Sequence, residues 1–173
     1  MMEEDIKALT ARLSGAHFTA IGKVASNWAA FEQIANSLLW VLAGVDDRAG
    51  ACLTAQIPHM GRTLGALTAL VRLRGGNDAL VKAINKFQDT TVGLGNRRNR
   101  VVHDPWQIDD ATGHPKRLEI SADKKPVFGY EIVPLEKIEA LVDEIWEHIT
   151  KFEALANRVL AEVGPLPDRP PPT

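Results

Sequence analysis

Apolar residues recur along this chain at steps of three and four over long stretches, the period of helices that bury one face. Glu3 to Leu13 reads as a short first helix closed by Ser14-Gly15. A second and longer helix spans about His17 to Leu42, with Val24, Trp28, Phe31, Ala35, Leu38 and Leu42 on one stripe and Gly44 at its end. Asp46-Asp47 predicts the cap of a third helix reaching Gln56. Pro58 opens a fourth, which runs to the Gly75-Gly76 break. Asn77-Asp78 caps a fifth whose stripe is Leu80, Ile84, Phe87, Thr91, Leu94 and Val101. It ends at His103, because Asp104 precedes a proline and is biased out of the helical region.

The texture changes between residues 107 and 133. Arg117 to Ser121 and Val127 to Val133 alternate with the period of strands, and Ala122 to Pro126 joins them into a β-hairpin. Helical periodicity returns near Pro134 and carries the longest stripe in the chain, from Leu135 through Ile145, Trp146 and Phe152 to Leu160. The pattern predicts an all-α antiparallel bundle of five to six helices, one domain over residues 1–163, with the hairpin as an insert before the last helix. The proline-rich tail, 164–173, is expected to be extended or disordered.

Composition adds bounds. With 173 residues, 45% of them hydrophobic and 24% charged, the chain has the make-up of an ordinary globular domain. The single cysteine, Cys52, excludes an internal disulfide and a cysteine-rich zinc site, and is expected in a helix core. No secretory signal is visible and no apolar stretch is long enough to span a bilayer, so a cytoplasmic protein without membrane contact is expected. The net charge of −2 hides an asymmetry. Between Gly61 and His103 eight basic residues face two acidic ones, a basic middle that attracts polyanions locally.

Candidate chemistry concentrates in Asn96-Arg97-Arg98-Asn99-Arg100-Val101-Val102-His103-Asp104-Pro105-Trp106. Extending the fifth helix at 3.6 residues per turn brings Arg98 onto the apolar stripe, where a guanidinium needs a partner or a wet cleft. Glu32, close to the buried arc of the second helix, is a candidate structural partner for it. Asn99 and His103 stand one turn apart, so the amide can reach the ring at an exposed helix end. An imidazole moves protons near neutral pH, and a guanidinium clamps phosphate. Other constellations are thinner. Gly93-Leu94-Gly95 follows no strand and suits helix approach or a bend rather than a phosphate loop. Glu144 and His148, one turn apart, have no matching second pair for a metal and read as exposed side chains.

Arg98-Asn99, three residues and then His103, at the end of a helix in an all-α domain, resembles the arginine-to-histidine signature of the HEPN superfamily. The aromatic Trp106 beyond the histidine and Trp28-Ala29-Ala30-Phe31-Glu32 on the long second helix are also similar to groups of that family. The resemblance covers about residues 17–163 without the hairpin. It implies a homodimer whose paired motifs line a shared cleft, and a metal-independent endoribonuclease without a cofactor, as in toxin and antiphage systems. On that model Arg98, Asn99 and His103 are catalytic: His103 acts on the 2′-hydroxyl or leaving group, Arg98 binds the scissile phosphate and Asn99 orients His103. Arg97, Arg100 and Trp106 are auxiliary substrate contacts, and RNA and a cognate antitoxin are expected partners. Members of the family that lack catalysis imply the alternative, a module that binds RNA, nucleotide or a partner protein.

Overall fold

The computed structural model describes residues 13–121 and 126–164. It shows a helical protein with a small antiparallel sheet before its last helix. The helices are α1 (Gly15–Ala43), α2 (Asp47–Thr54), α3 (Met60–Leu73), α4 (Asp78–His103) and α5 (Leu135–Val163). The strands β1 (Trp106–Ile108), β2 (Pro115–Ser121) and β3 (Val127–Ile132) lie between α4 and α5. The helix expected over Glu3 to Leu13 falls outside the described residues except for Leu13, and so does the tail beyond Gly164.

The helix ends have local causes. Gly44 and Gly75 adopt φ of 65° and 81°, conformations that side chains resist. At the first, Val45 N–H donates to Trp40 O and Gly44 N–H to Val41 O. At the second, Gly76 N–H donates to Val71 O and Gly75 N–H to Arg72 O. Both are Schellman closures that satisfy orphan carbonyls. Asp46 caps α2 by accepting from the N–H groups of Arg48 and Ala49, and Asn77 caps α4 by accepting from Leu80 N–H. α3 starts at Met60 and not at Pro58, because His59 takes a φ of 68° and breaks the chain direction before the first turn.

The chain forms two compact units whose borders fall inside helices. Described residues 29–95 and 147–164 make one of them. Phe31, Leu42, Leu64, Leu67, Val71, Leu80, Ile84, Phe152 and Val159 are all but sealed from solvent there. Phe31, Phe87, His148 and Phe152 form an aromatic cluster, with the imidazole stacked on Phe87 at 4.1 Å between centroids. The expectation that His148 is exposed is therefore corrected. Arg74, part of the basic middle, spends its guanidinium on Leu42 O and Val163 O, carbonyls at the ends of α1 and α5. Cys52 is exposed, against the expected core position, since the buried residues of short α2 are Gly50 and Thr54. A Cβ on Gly50 would stand 2.4 Å from the Trp40 ring, so that face of α2 is held against an indole and the thiol points elsewhere.

Described residues 13–28, 96–121 and 126–146 make the other unit. Its described buried side chains include Val24 and Trp28 of α1, Val101 of α4 and Ile138, Leu141 and Ile145 of α5. Trp146, counted in the α5 stripe from sequence, is exposed. In the first unit Gly93 is exposed, and a Cβ there would meet nothing within 4 Å, so it serves no close helix approach.

The sheet has three strands where the pattern predicts two. β1 pairs with β2 through Trp106 with Arg117, Gln107 with Lys116 and Ile108 with Pro115, and is too short for its alternation to register in the sequence. Residues that pair across strands share a face, so Arg117 and Glu131 lie on one side and Leu118, Ile120, Phe128, Tyr130 and Ile132 on the other. The apolar side is the open one, with Ile120, Phe128, Tyr130 and Ile132 all exposed, while Arg117 is buried. No helix among the described residues is long and apolar enough to cross a membrane.

Candidate functional site

α4 delivers the arginine–histidine segment as its final turns, and the last residue in helical conformation is His103. The stop is built locally. Asp104 N–H still donates to Arg100 O, and then Pro105 can donate nothing. The indole Nε1–H of Trp106 turns back to Val101 O at 2.9 Å and satisfies a carbonyl left open by the helix end. Leu118 N–H donates to Pro105 O at 2.9 Å, which ties β2 to the same corner. Trp106 is half-buried, and its hydrogen-bonding group is committed to this structural task.

Arg98 is the centre of the cluster. Its Nη1 donates to Asn99 Oδ1 at 2.9 Å and to His103 Nε2 at 3.2 Å. A guanidinium can only donate, so Nε2 is an acceptor here and the ring proton sits on Nδ1. The guanidinium carbon stands 5.9 Å from the centroid of the Trp28 ring, within the range of a cation–π contact. Its Nε is buried and has no hydrogen-bond partner. The stripe position that looked anomalous for a charge is thus met by an indole face of α1 and by two polar neighbours on α4 itself.

The arrangement differs in one respect from the expected one: the Asn99 carbonyl engages Arg98, and Arg98 is the group that stands on the histidine. Asn99 and His103 are exposed and Arg98 is half-buried. The site is therefore an imidazole and a guanidinium held together at an accessible helix end. It can bind an anion and exchange a proton beside it.

The two auxiliary arginines are engaged by carboxylates. Arg97 makes a two-pronged pair with Glu144 of α5, whose hydrogen bonding is the main reason the Arg97 proton is held more tightly than usual. Arg100 donates to Asp104 Oδ2 at 3.4 Å and to Ile120 O at 3.1 Å, and lies 3.5 Å from Glu119 Oε1. Asp104 also receives Arg117 Nη1 at 3.0 Å, and Arg117 Nη2 bonds Glu131, which in turn holds Lys137. The Lys137 ammonium, ahead of Arg117, keeps the Glu131 carboxyl below the usual carboxylate range. An unbroken chain of ion pairs thus runs from Glu119 through Arg100, Asp104, Arg117 and Glu131 to Lys137. Sequence reasoning does not reach Arg117, because period-two alternation marks a polar face without saying which neighbour covers it.

Glu32, the expected structural partner of Arg98, belongs to the other unit, where it lines a small cavity with Thr54, His59 and Thr63. Among the described residues no three or more His, Cys, Asp or Glu side chains gather as a metal site would require. No family model matches the chain, and no curated protein or solved structure matches it.

Proposed function

We propose that this protein is a metal-independent endoribonuclease of the HEPN type, acting through Arg98, Asn99 and His103. What supports the reading is the direct contact between Arg98 Nη1 and His103 Nε2 at the exposed end of α4. The Nε2 lone pair is the proton acceptor that the reaction needs. When the oxygens of a scissile phosphate take up the guanidinium donors, Nε2 is released to accept the proton of the neighbouring 2′-hydroxyl. The 2′-oxygen then attacks phosphorus, and the 5′-oxygen of the next nucleotide leaves as a hydroxyl with a proton from the His103 imidazolium of a second copy, giving a 2′,3′-cyclic phosphate and a 5′-hydroxyl. Charge growing on the phosphoryl oxygens is balanced by Arg98, a cation fixed in place by Trp28 and Asn99. Arg97, Arg100 and Trp106 are auxiliary contacts to the flanking RNA.

Purified protein incubated with mixed RNAs in the presence of chelator is expected to cleave them, and His103→Ala to do so about 10²–10⁴-fold more slowly, the usual worth of a positioned acid or base. Equal degradation by both proteins would point to a contaminant. Intact RNA with every substrate would instead favour a module that binds RNA, nucleotide or a partner protein through the same helices.

Each chain carries one motif histidine, whereas attack and departure call for a base and an acid. We therefore place two copies in the active form, each supplying one imidazole to a shared cleft. Light scattering at micromolar concentration is expected to give twice the chain mass of 18.9 kDa, and a mass near 18.9 kDa would contradict the dimer. A cytoplasmic setting, a role in a toxin or antiphage system and a cognate antitoxin or partner protein complete the proposal.

A further inference from the structure

The unit that carries the arginine–histidine cluster also holds a cavity of about 320 Å³, at the small end of the range of ligand pockets. Its floor is apolar, made by Val101, Val133, Ala140 and Leu141. Its walls carry four cations, Arg97, Arg100, Arg117 and Lys137, against two carboxylates, Glu131 and Glu144. The acids that balance the remaining charge, Asp104 and Glu119, do not line the cavity, so the space faces the positive side of the ion-pair network.

Both wall carboxylates are already spent, Glu144 on Arg97 and Glu131 on Arg117 and Lys137. One donor is not. The side chain of Arg117 is only 9% exposed, and its buried Nε–H has no acceptor. That atom is sealed from the cavity as it is from solvent, so the wall cations a ligand can reach include Arg100 and Lys137, whose side chains are 30% and 59% exposed.

We propose that this cavity is a binding site for a small organic anion, with an apolar body on the Val101–Val133–Leu141 floor and an acidic group meeting the guanidinium of Arg100 and the ammonium of Lys137. The chemistry required is an anionic oxygen attached to an apolar ring or chain, and a carboxylate and a phosphate both supply it. The site needs neither His103 nor Arg98, although Arg97 and Arg100 on its walls are also auxiliary contacts in the RNA reading.

Calorimetric titration with 1-naphthoate, 1-naphthyl phosphate and uncharged 1-naphthalenemethanol tests it. At least one of the anions is expected to bind saturably and at least tenfold more tightly than the alcohol, and the tighter anion identifies the acidic group. Ala140 is exposed on α5, so Ala140→Trp can fill the cavity without disturbing the core. That variant is expected to keep its unfolding midpoint and lose anion binding at least tenfold. Equal binding of the alcohol, undiminished binding by the Ala140→Trp protein, or no saturable binding of either anion would each overturn the assignment.

Discussion

Replacing Arg98 with alanine is expected to slow RNA cleavage by about 10²–10³-fold, the loss seen when one fixed donor to a developing negative charge is removed. The same change is expected to cost only about 1–2 kcal/mol of stability, the worth of a partly desolvated cation–π contact. Both figures follow from one geometry. The guanidinium is half-buried over Trp28, while its Nη1 serves two exposed polar side chains that water can satisfy in its absence. Arg98→Lys keeps the charge and loses the planar fork, so it should restore stability better than activity. Urea unfolding and single-turnover cleavage on the same preparations separate the two effects. A loss of about 3–5 kcal/mol would instead identify Arg98 as the partner of a buried carboxylate. A stable Arg98→Ala protein that still cleaves RNA would defeat both roles.

How much of this was legible from sequence depends on the range of each interaction. Helix ends could be read because their causes are local: Asp46 and Asn77 bond N–H groups two or three residues away, Gly44 and Gly75 turn the backbone, and Pro105 stops α4. The Arg98–His103 contact was not legible in this way: five positions on one helix lie about 140° apart, and the spacing pointed instead to Asn99, one turn away, as the neighbour of the ring. The Trp28 partner lies 70 positions away and shows in the sequence only as one more aromatic residue on an apolar stripe. The sheet was legible in period and obscure in orientation. Alternation told Arg117 and Glu131 from Leu118 and Tyr130, but burial went to the charged face because Asp104, at the end of α4, gives Arg117 a carboxylate to meet. Ionic pairing here outweighs the usual preference for an apolar inner face, and no local pattern announces it. The burial of His148 was not legible either, because the rings of Phe31 and Phe87 that pack on it come from elsewhere in the chain.

That enclosure makes the fold acid-labile. His148 is 7% exposed, and burial among the aromatic rings, with a smaller contribution from Lys151, pushes its pKa down from 6.5 to about 4. The Thr91 hydroxyl donates to Phe87 O at 2.8 Å, so its oxygen accepts the His148 Nε2–H, also at 2.8 Å, and the neutral ring is the one the site holds. The unfolded chain takes up the proton near pH 6.5 and the folded one only near pH 4, so between those values the unfolded state binds more protons. Stability is therefore full above about pH 6.5 and falls as the pH drops towards 4. The loss is on the order of 3 kcal/mol from this group alone, a large part of the margin of an ordinary domain. His148→Gln keeps an N–H for Thr91 and removes the titration. Carboxylates stabilised by ion pairs, such as Glu131, lose their contribution at still lower pH, and do so in both proteins. Urea unfolding of the two at pH 7.5, 6.0 and 4.5 is expected to show the native protein losing stability more steeply, by about 2–3 kcal/mol over the range. Parallel decline of the two curves would mean that the buried imidazole accepts its proton without cost to the fold.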